Sequence, residues 1–145
     1  MNGVIAAYTG SPFTVYADGS SLSAPGNTQT ANQVKTIVDY PHGIGPGQTW
    51  FDTSAFAPVT TATFGNSGRN TLRGPGTWNT DLMIDRKFKI TERIDTDFRA
   101  EFYNLPNTSH FSNNNLDTSV NDSTFGQISS SFGERQIRFG LRLGF

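Results

Sequence analysis

The carboxyl-terminal segment, residues 135–145, alternates without interruption between apolar side chains and polar or small ones. The apolar positions are Ile137, Phe139, Leu141, Leu143 and Phe145, and the intervening ones are Gln136, Arg138, Gly140, Arg142 and Gly144. Because successive side chains of a β-strand point to opposite faces, the segment predicts a strand with one apolar and one polar face. Its length matches that of a tilted strand that crosses a bilayer, which needs about 9–11 residues.

Composition favours strands and turns over helices. The chain has 145 residues, only 34% of them hydrophobic, together with 15 Gly and 7 Pro. No apolar run reaches the about 18 residues of a transmembrane helix. The net charge of −1 argues against a nucleic-acid partner, which selects for a basic surplus. The absence of Cys excludes thiol catalysis, thiolate metal sites and disulfides. We expect no cofactor.

Two further segments, residues 79–90 and 94–103, alternate in the same way on either side of a short turn. Their apolar positions are Leu82, Ile84, Phe88, Ile94, Phe98 and Phe102, interrupted by Arg86. Their polar positions include Asp85, Lys87, Lys89, Asp95, Asp97, Arg99 and Glu101. Two amphipathic strands around a tight connection predict a β-hairpin.

A fourth strand region is predicted near residues 2–17, as a strand pair or one bent strand, because Gly10-Ser11-Pro12 would interrupt a ladder. Residues 18–78 and 104–134 read as long polar loops, with short β segments expected around residues 50–51 and 59–64. We therefore predict an all-β fold of antiparallel strands from a partial transmembrane β-barrel, which combines long loops with short turns. The alternative is a small soluble β-sandwich or barrel that turns the apolar face inward.

In the barrel interpretation, each strand face has a role. The polar positions predicted to face the lumen are Asp95, Asp97, Arg99, Glu101, Arg138 and Arg142. Cross-strand ion pairs are predicted between the charged residues of segment 95–101 and Asp85, Lys87 and Lys89. The apolar positions Leu82, Ile84, Phe88, Ile94, Phe98, Phe102, Ile137, Phe139, Leu141, Leu143 and Phe145 are predicted to face lipid, or a core in the soluble alternative. Open strand edges also predict self-association as a third possibility.

The chain resembles the carboxyl-terminal end of the barrel of TonB-dependent outer-membrane transporters, especially the Oar-like group of Acidobacteria that carries a carboxypeptidase-regulatory-like domain. The segments that carry the resemblance are 50–56 (WFDTSAF), 64–70 (FGNSGRN), 72–76 (LRGPG), 98–104 (FRAEFYN), 125–128 (FGQI) and 135–145 (RQIRFGLRLGF). The resemblance implies that residues 1–145 close a barrel and supply external loops for substrate uptake. It implies partners as well: the rest of the barrel, a plug, outer-membrane lipid and, through Phe145, the barrel-assembly machinery. The implied location is the outer membrane of a Gram-negative bacterium.

Candidate chemical sites are few, and the sequence favours a protein that is not an enzyme. His42 and His110 with a carboxylate such as Asp117 are one metal candidate, and Asp117 with Asp122 in an Asn-rich loop is a candidate for calcium. Solvated loop residues are the favoured interpretation of both. The paired carboxylates of residues 95–101 suit a lumen better than glycosidase chemistry, and no serine lies in a nucleophile elbow.

The aromatic residues allow one further functional alternative. Tyr8, Tyr16, Tyr40, Trp50 and Trp78 predict an interfacial girdle or ordinary packing, in preference to a platform for sugars. The alternative function from another class is therefore a free-standing soluble β-rich protein that binds or hydrolyses a carbohydrate, with or without a metal.

Overall fold

The structure, a computed structural model, describes all 145 residues. Ten strands follow one another along the chain: β1 (Asn2–Tyr8), β2 (Pro12–Phe13), β3 (Tyr16–Asp18), β4 (Thr28–Thr30), β5 (Asn32–Gln33), β6 (Phe56–Ala57), β7 (Leu72–Arg73), β8 (Thr77–Lys89), β9 (Asp95–Tyr103) and β10 (Gln136–Gly144). Three short 3-10 turns, Ser20–Leu22, Thr53–Ala55 and Asn113–Asn115, complete the regular structure. No helix has the length and apolar character needed to cross a membrane.

The chain forms two compact units. The sheet unit contains Met1–Tyr8, Thr77–His110 and Phe132–Phe145, and the loop unit contains Thr9–Gly76 and Phe111–Ser131. In the sheet unit, one antiparallel four-stranded sheet has the order β1-β8-β9-β10. The outer edges of β1 and β10 carry no partner strand, so the sheet is open. The prediction of an all-β, antiparallel, partial barrel is confirmed.

Strands β8 and β9 form the predicted hairpin. In the connecting turn, the Ile90 backbone N–H donates to the Ile94 carbonyl at 2.9 Å, and the Thr91 hydroxyl oxygen accepts from the Ile94 N–H at 3.1 Å. Ile94 therefore belongs to the turn, and β9 begins one residue later than predicted. The register opposes Leu82 to Phe102 and Ile84 to Ala100. The apolar residues of the two strands therefore lie on the same face of the hairpin.

The first strand is shorter than predicted. Strand β1 ends at Tyr8, and the remainder of residues 2–17 belongs to the loop unit, where β2 pairs with β7 and β3 pairs with β4. Gly10 marks the break, because a Cβ atom placed there would lie 1.7 Å from the Gly74 carbonyl oxygen. This close backbone approach, followed by a proline that cannot donate to a ladder, ends the sheet strand.

The loop unit has its own hydrophobic core, which the prediction of long polar loops leaves out. Its buried members are Phe13, Val15, Ala17, Ala31, Phe51, Ala55, Phe56, Val59, Leu72, Leu116 and Ile128. Phe51, with no exposed surface, contacts the rings of Phe13, Phe56 and Phe125 at centroid distances of 5.5, 5.8 and 5.4 Å.

Short β segments do occur in this unit, but not where they were predicted. Residues 50–51 and 59–64 contain no strand. The short strand β6 lies between these two segments and pairs with β5, and β7 lies after them and pairs with β2. Buried side chains at Phe51 and Val59 explain the misplaced prediction, because an apolar residue in a packed loop resembles one in a short strand.

Candidate functional site on the polar face of the sheet

One face of the sheet carries most of its charged side chains. The register opposes Arg138 to Glu101 and Arg142 to Asp97 across β9 and β10, and Asp85 to Arg99 across β8 and β9. Directly opposed residues of an antiparallel pair share a face. The six positions predicted to face a lumen therefore lie together on this face: Asp95, Asp97, Arg99, Glu101, Arg138 and Arg142.

The polar face carries charges of both signs, but they form fewer ion pairs than predicted. The one salt bridge on this face joins Arg99 to Glu101 at 2.6 Å, and these residues lie on the same strand. Arg138 instead stacks on the Tyr103 ring, with 5.2 Å from guanidinium carbon to ring centroid. Exposed cross-strand pairs gain little in water, which explains why the expected pairs do not close.

A pocket of about 410 Å³ lies at the end of this face from which the β9–β10 connection departs. Its lining side chains include Asp81, Tyr103, His110, Glu134, Gln136 and Arg138. The set combines carboxylates, a guanidinium, an amide and a phenol, all of which exchange hydrogen bonds with polar solutes. The pocket can hold a polar, hydroxyl-bearing molecule, and its residues pair no nucleophile with a base.

The pocket floor is built around Asn104, which the sequence analysis did not identify. Asn104 is buried, and its side-chain amide donates to the carbonyls of Thr108 at 2.8 Å and Gly133 at 2.5 Å. Its backbone N–H donates to the Asp81 carboxylate at 2.9 Å. These bonds fix the chain immediately after β9. The signal in the sequence was an Asn directly after an alternating strand, a residue type that accepts a left-handed backbone.

The opposite face of the sheet is apolar and exposed. Nine of the eleven predicted apolar positions lie in strands on this face: Leu82, Ile84, Phe88, Phe98, Phe102, Ile137, Phe139, Leu141 and Leu143. Phe139 is 69% exposed and Leu141 is 67% exposed. Ile94 lies in the turn, and Phe145 follows the last strand. Two smaller residues of β9 on this face are buried, Ala100 at 4% and Thr96 at 8% exposure.

The metal candidates do not converge. His42 lies in the loop unit against Trp50, at a ring-centroid distance of 4.6 Å, whereas His110 lies in the sheet unit with its ring nitrogen 3.1 Å from the Trp78 carbonyl oxygen. The Asp117 carboxylate accepts from the Ser119 N–H and the Thr124 hydroxyl, and Asp122 lies in the following turn. No group of three such side chains with metal-binding potential is present.

The five aromatic residues divide between the two units. Tyr40 and Trp50 pack partly buried against the core of the loop unit, with their polar atoms bonded to the backbone of Arg73 at 3.2 and 3.0 Å. Tyr16 is in β3 of the same unit. For Tyr8 and Trp78, both exposed at strand ends in the sheet unit, the interfacial girdle stays a prediction.

Comparison with known proteins gives one match. A family model described as an outer membrane beta barrel domain matches residues 1–138. No curated protein and no solved structure matches the chain.

Proposed function

Because this chain belongs to the outer membrane β-barrel domain family, we propose that its sheet is the carboxyl-terminal wall segment of a TonB-dependent transporter. The polar face lines the lumen, and the apolar face contacts lipid in the outer membrane of a Gram-negative bacterium. One observation carries the proposal: the apolar side chains Phe139 and Leu141 are 69% and 67% exposed. The loop unit buries its phenylalanines, so we expect Phe139 and Leu141 to contact lipid and not water.

Lipid also requires more strands than this sheet has. An open sheet exposes unpaired backbone N–H and C=O groups, which are untenable in hydrocarbon, and the smallest membrane barrels use about eight strands. In our proposal, the free edges of β1 and β10 pair with the remaining strands of the barrel. Phe145 presents the terminal aromatic group that the barrel-assembly machinery binds.

The sidedness of the segment follows from its connections. Outer-membrane barrels place long loops outside the cell and short turns in the periplasm. The turn at residues 90–94 is then periplasmic, and the connections that form the loop unit are external and contact substrate. The pocket containing Asp81, Glu134 and Arg138 lies at the external end of the polar face, where a polar substrate would enter.

The two faces can be tested with cysteine substitutions at neighbouring positions, because the natural chain has no Cys. Leu141→Cys and Arg142→Cys lie next to each other in β10 on opposite faces. For outer-membrane preparations of the full-length protein, we expect a membrane-impermeant thiol reagent to label Arg142→Cys at least tenfold faster than Leu141→Cys. A lipid-dissolved maleimide should show the reverse preference.

Other labelling patterns would contradict the proposal. Equal labelling of the two cysteines by the aqueous reagent would mean that the apolar face does not contact lipid. If Leu141→Cys were shielded from both reagents in a protein that stays monomeric without detergent, the soluble β-fold would replace the barrel. A glycan-binding panel on that soluble material would then test the carbohydrate alternative.

The transporter assignment itself has a separate test in the gene. It is supported by the resemblance of segments such as 98–104 and 135–145 to Oar-like TonB-dependent transporters. We expect the reading frame to continue upstream of Met1 into a plug domain, a TonB box and a signal peptide. A frame that starts at Met1 would contradict the transporter role. The barrel-wall placement would still be tested by the labelling experiment.

A further inference from the structure

Arg86 breaks the alternation of β8 and lies on the apolar face of the sheet. The register opposes it to Phe98, and its neighbours on the same face of β8 are Ile84 and Phe88. Arg86 takes part in neither of the two salt bridges of the chain. Its guanidinium carbon lies 5.1 Å from the Phe88 ring centroid, so the side chain extends along the strand toward the short turn.

The depth of Arg86 fits a position near the membrane surface. It precedes Lys89, the last residue of β8, by three positions. At a rise of about 3.4 Å per residue and a tilt of about 40°, Arg86 lies about 8 Å inside the end of the strand. A long cationic side chain at this depth reaches the interface by extending its head toward it. Charged groups on the lipid face are costly mainly at the bilayer midplane.

We propose that Arg86 and Phe88 bind the anionic headgroup of a phospholipid in the leaflet on the short-turn side. The inference rests on the proposed placement of the sheet in a barrel wall. The planar guanidinium of Arg86 pairs with the lipid phosphate through two hydrogen bonds, and Phe88 packs beside the glycerol and first methylene groups. A lipid bound here fixes the depth of the hairpin in the membrane.

The test compares lipids that differ only in headgroup charge. The full chain in zwitterionic detergent micelles is titrated with phosphatidylglycerol or phosphatidylcholine of the same acyl chains, and bound lipid is counted by native mass spectrometry. We expect about fivefold tighter binding of phosphatidylglycerol, the effect of one basic residue near a membrane surface. Arg86→Gln should abolish the preference, and Arg86→Lys should keep part of it.

The matched control is Arg142→Gln, which removes the same charge from the polar face, opposite Asp97, and should leave the preference unchanged. Equal binding of both lipids by the natural chain, or equal losses in Arg86→Gln and Arg142→Gln, would overturn the inference. Inorganic phosphate that competes as strongly as the lipid would show a free-phosphate site and overturn the lipid assignment. Circular dichroism establishes that each variant keeps its strands, and Arg86→Lys carries the test if Arg86→Gln does not fold.

Flotation with phosphatidylcholine vesicles separates this inference from the proposed function. If the full-length protein floats with these vesicles but shows no headgroup preference, the lipid site is wrong and the barrel-wall placement stands. If the full-length protein floats with neither phosphatidylcholine nor phosphatidylglycerol vesicles, the barrel-wall placement is wrong and the lipid site is wrong with it.

Discussion

At the scale of single residues, Asn104 has the most constrained role in the sheet unit. Its backbone is left-handed, with φ of 50°, and its side chain is 4% exposed. Besides donating to two carbonyls, its side-chain oxygen accepts from the Thr108 N–H at 3.0 Å and the Thr108 hydroxyl at 3.1 Å. Asn is one of the few residue types that tolerate this backbone at low energy. Asn104 thereby ends β9 and starts the long connection to β10.

Asn104→Ala should therefore destabilise the sheet unit by about 4 kcal/mol, given about 1 kcal/mol for each of the four lost hydrogen bonds. Asn107→Ala is the control, because Asn107 has a similar φ of 56° but is exposed and accepts one bond, from the Arg135 N–H at 3.2 Å. Its cost should be about 1 kcal/mol. Urea unfolding in detergent micelles measures both, and equal costs would show that the Asn104 bonds contribute nothing beyond backbone conformation.

At the scale of elements, the sequence predicts strands well and the loop core poorly. Segments 79–90 and 135–145 correspond closely to β8 and β10, because a period of two with one apolar face specifies both the strand and its register. The core of the loop unit joins Phe13, Phe51 and Leu116, residues from distant segments without a common period. Pairings of that kind are decided by tertiary packing, which a local pattern does not encode.

The polar face illustrates the same limit. Alternation assigned Asp97 and Arg142 to one face, and the register opposes them. Whether two long side chains then close an ion pair depends on competing local partners, such as Tyr103 for Arg138. The pocket at the end of the face depends on the contact between Asn104 and Gly133. The fold of the long connection brings these two residues together, and the pattern of neither strand predicts it.

The 3-10 turn Thr53–Ala55 is an element whose stability should depend on pH. Asp52 precedes it and accepts from the Ser54 N–H at 3.0 Å, and the Lys35 ammonium lies 2.6 Å from the other carboxylate oxygen. The hydrogen bond from Lys35, followed by that from Ser54, lowers the pKa of the Asp52 carboxyl below its ordinary value. The stabilisation is therefore complete above about pH 4, the unfolded value, and is lost as the pH falls through the lower folded pKa.

We expect the urea midpoint of the loop unit to fall as the pH is lowered below about 4, and Asp52→Asn to remove part of that fall. Trp50 fluorescence reports on this unit in a Trp78→Phe background, since the chain has only 2 Trp. Asp39→Asn is a control, because Asp39 lies in the same unit and forms no side-chain hydrogen bond or salt bridge. The same pH dependence in all three proteins would exclude a contribution from Asp52.

At the scale of the whole molecule, the two kinds of apolar surface are separated. The loop unit encloses its apolar side chains in a core, whereas the sheet unit displays a continuous apolar face with Ile137 at 47% and Leu143 at 55% exposure. A water-soluble protein of this size rarely exposes so large an apolar patch. Our proposal of a barrel wall with folded external connections accounts for this division, since it places the loop unit in water and the apolar sheet face in lipid.

Adjacent charge substitutions test this division directly. Phe139→Glu places a carboxylate on the exposed apolar face, whereas Gly140→Glu places it on the polar face opposite Arg99, with ordinary room for a Cβ atom 3.8 Å from that of Arg99. Because a charge on the lipid face costs on the order of 2 kcal/mol toward the midplane, Phe139→Glu should reduce the membrane-bound fraction in vesicle flotation by about tenfold or more, and Gly140→Glu should leave it unchanged. Without detergent, Phe139→Glu should scatter less light than the natural chain, since it places a charge on the exposed apolar face. Equal flotation of the two variants would mean that the bilayer does not contact this face.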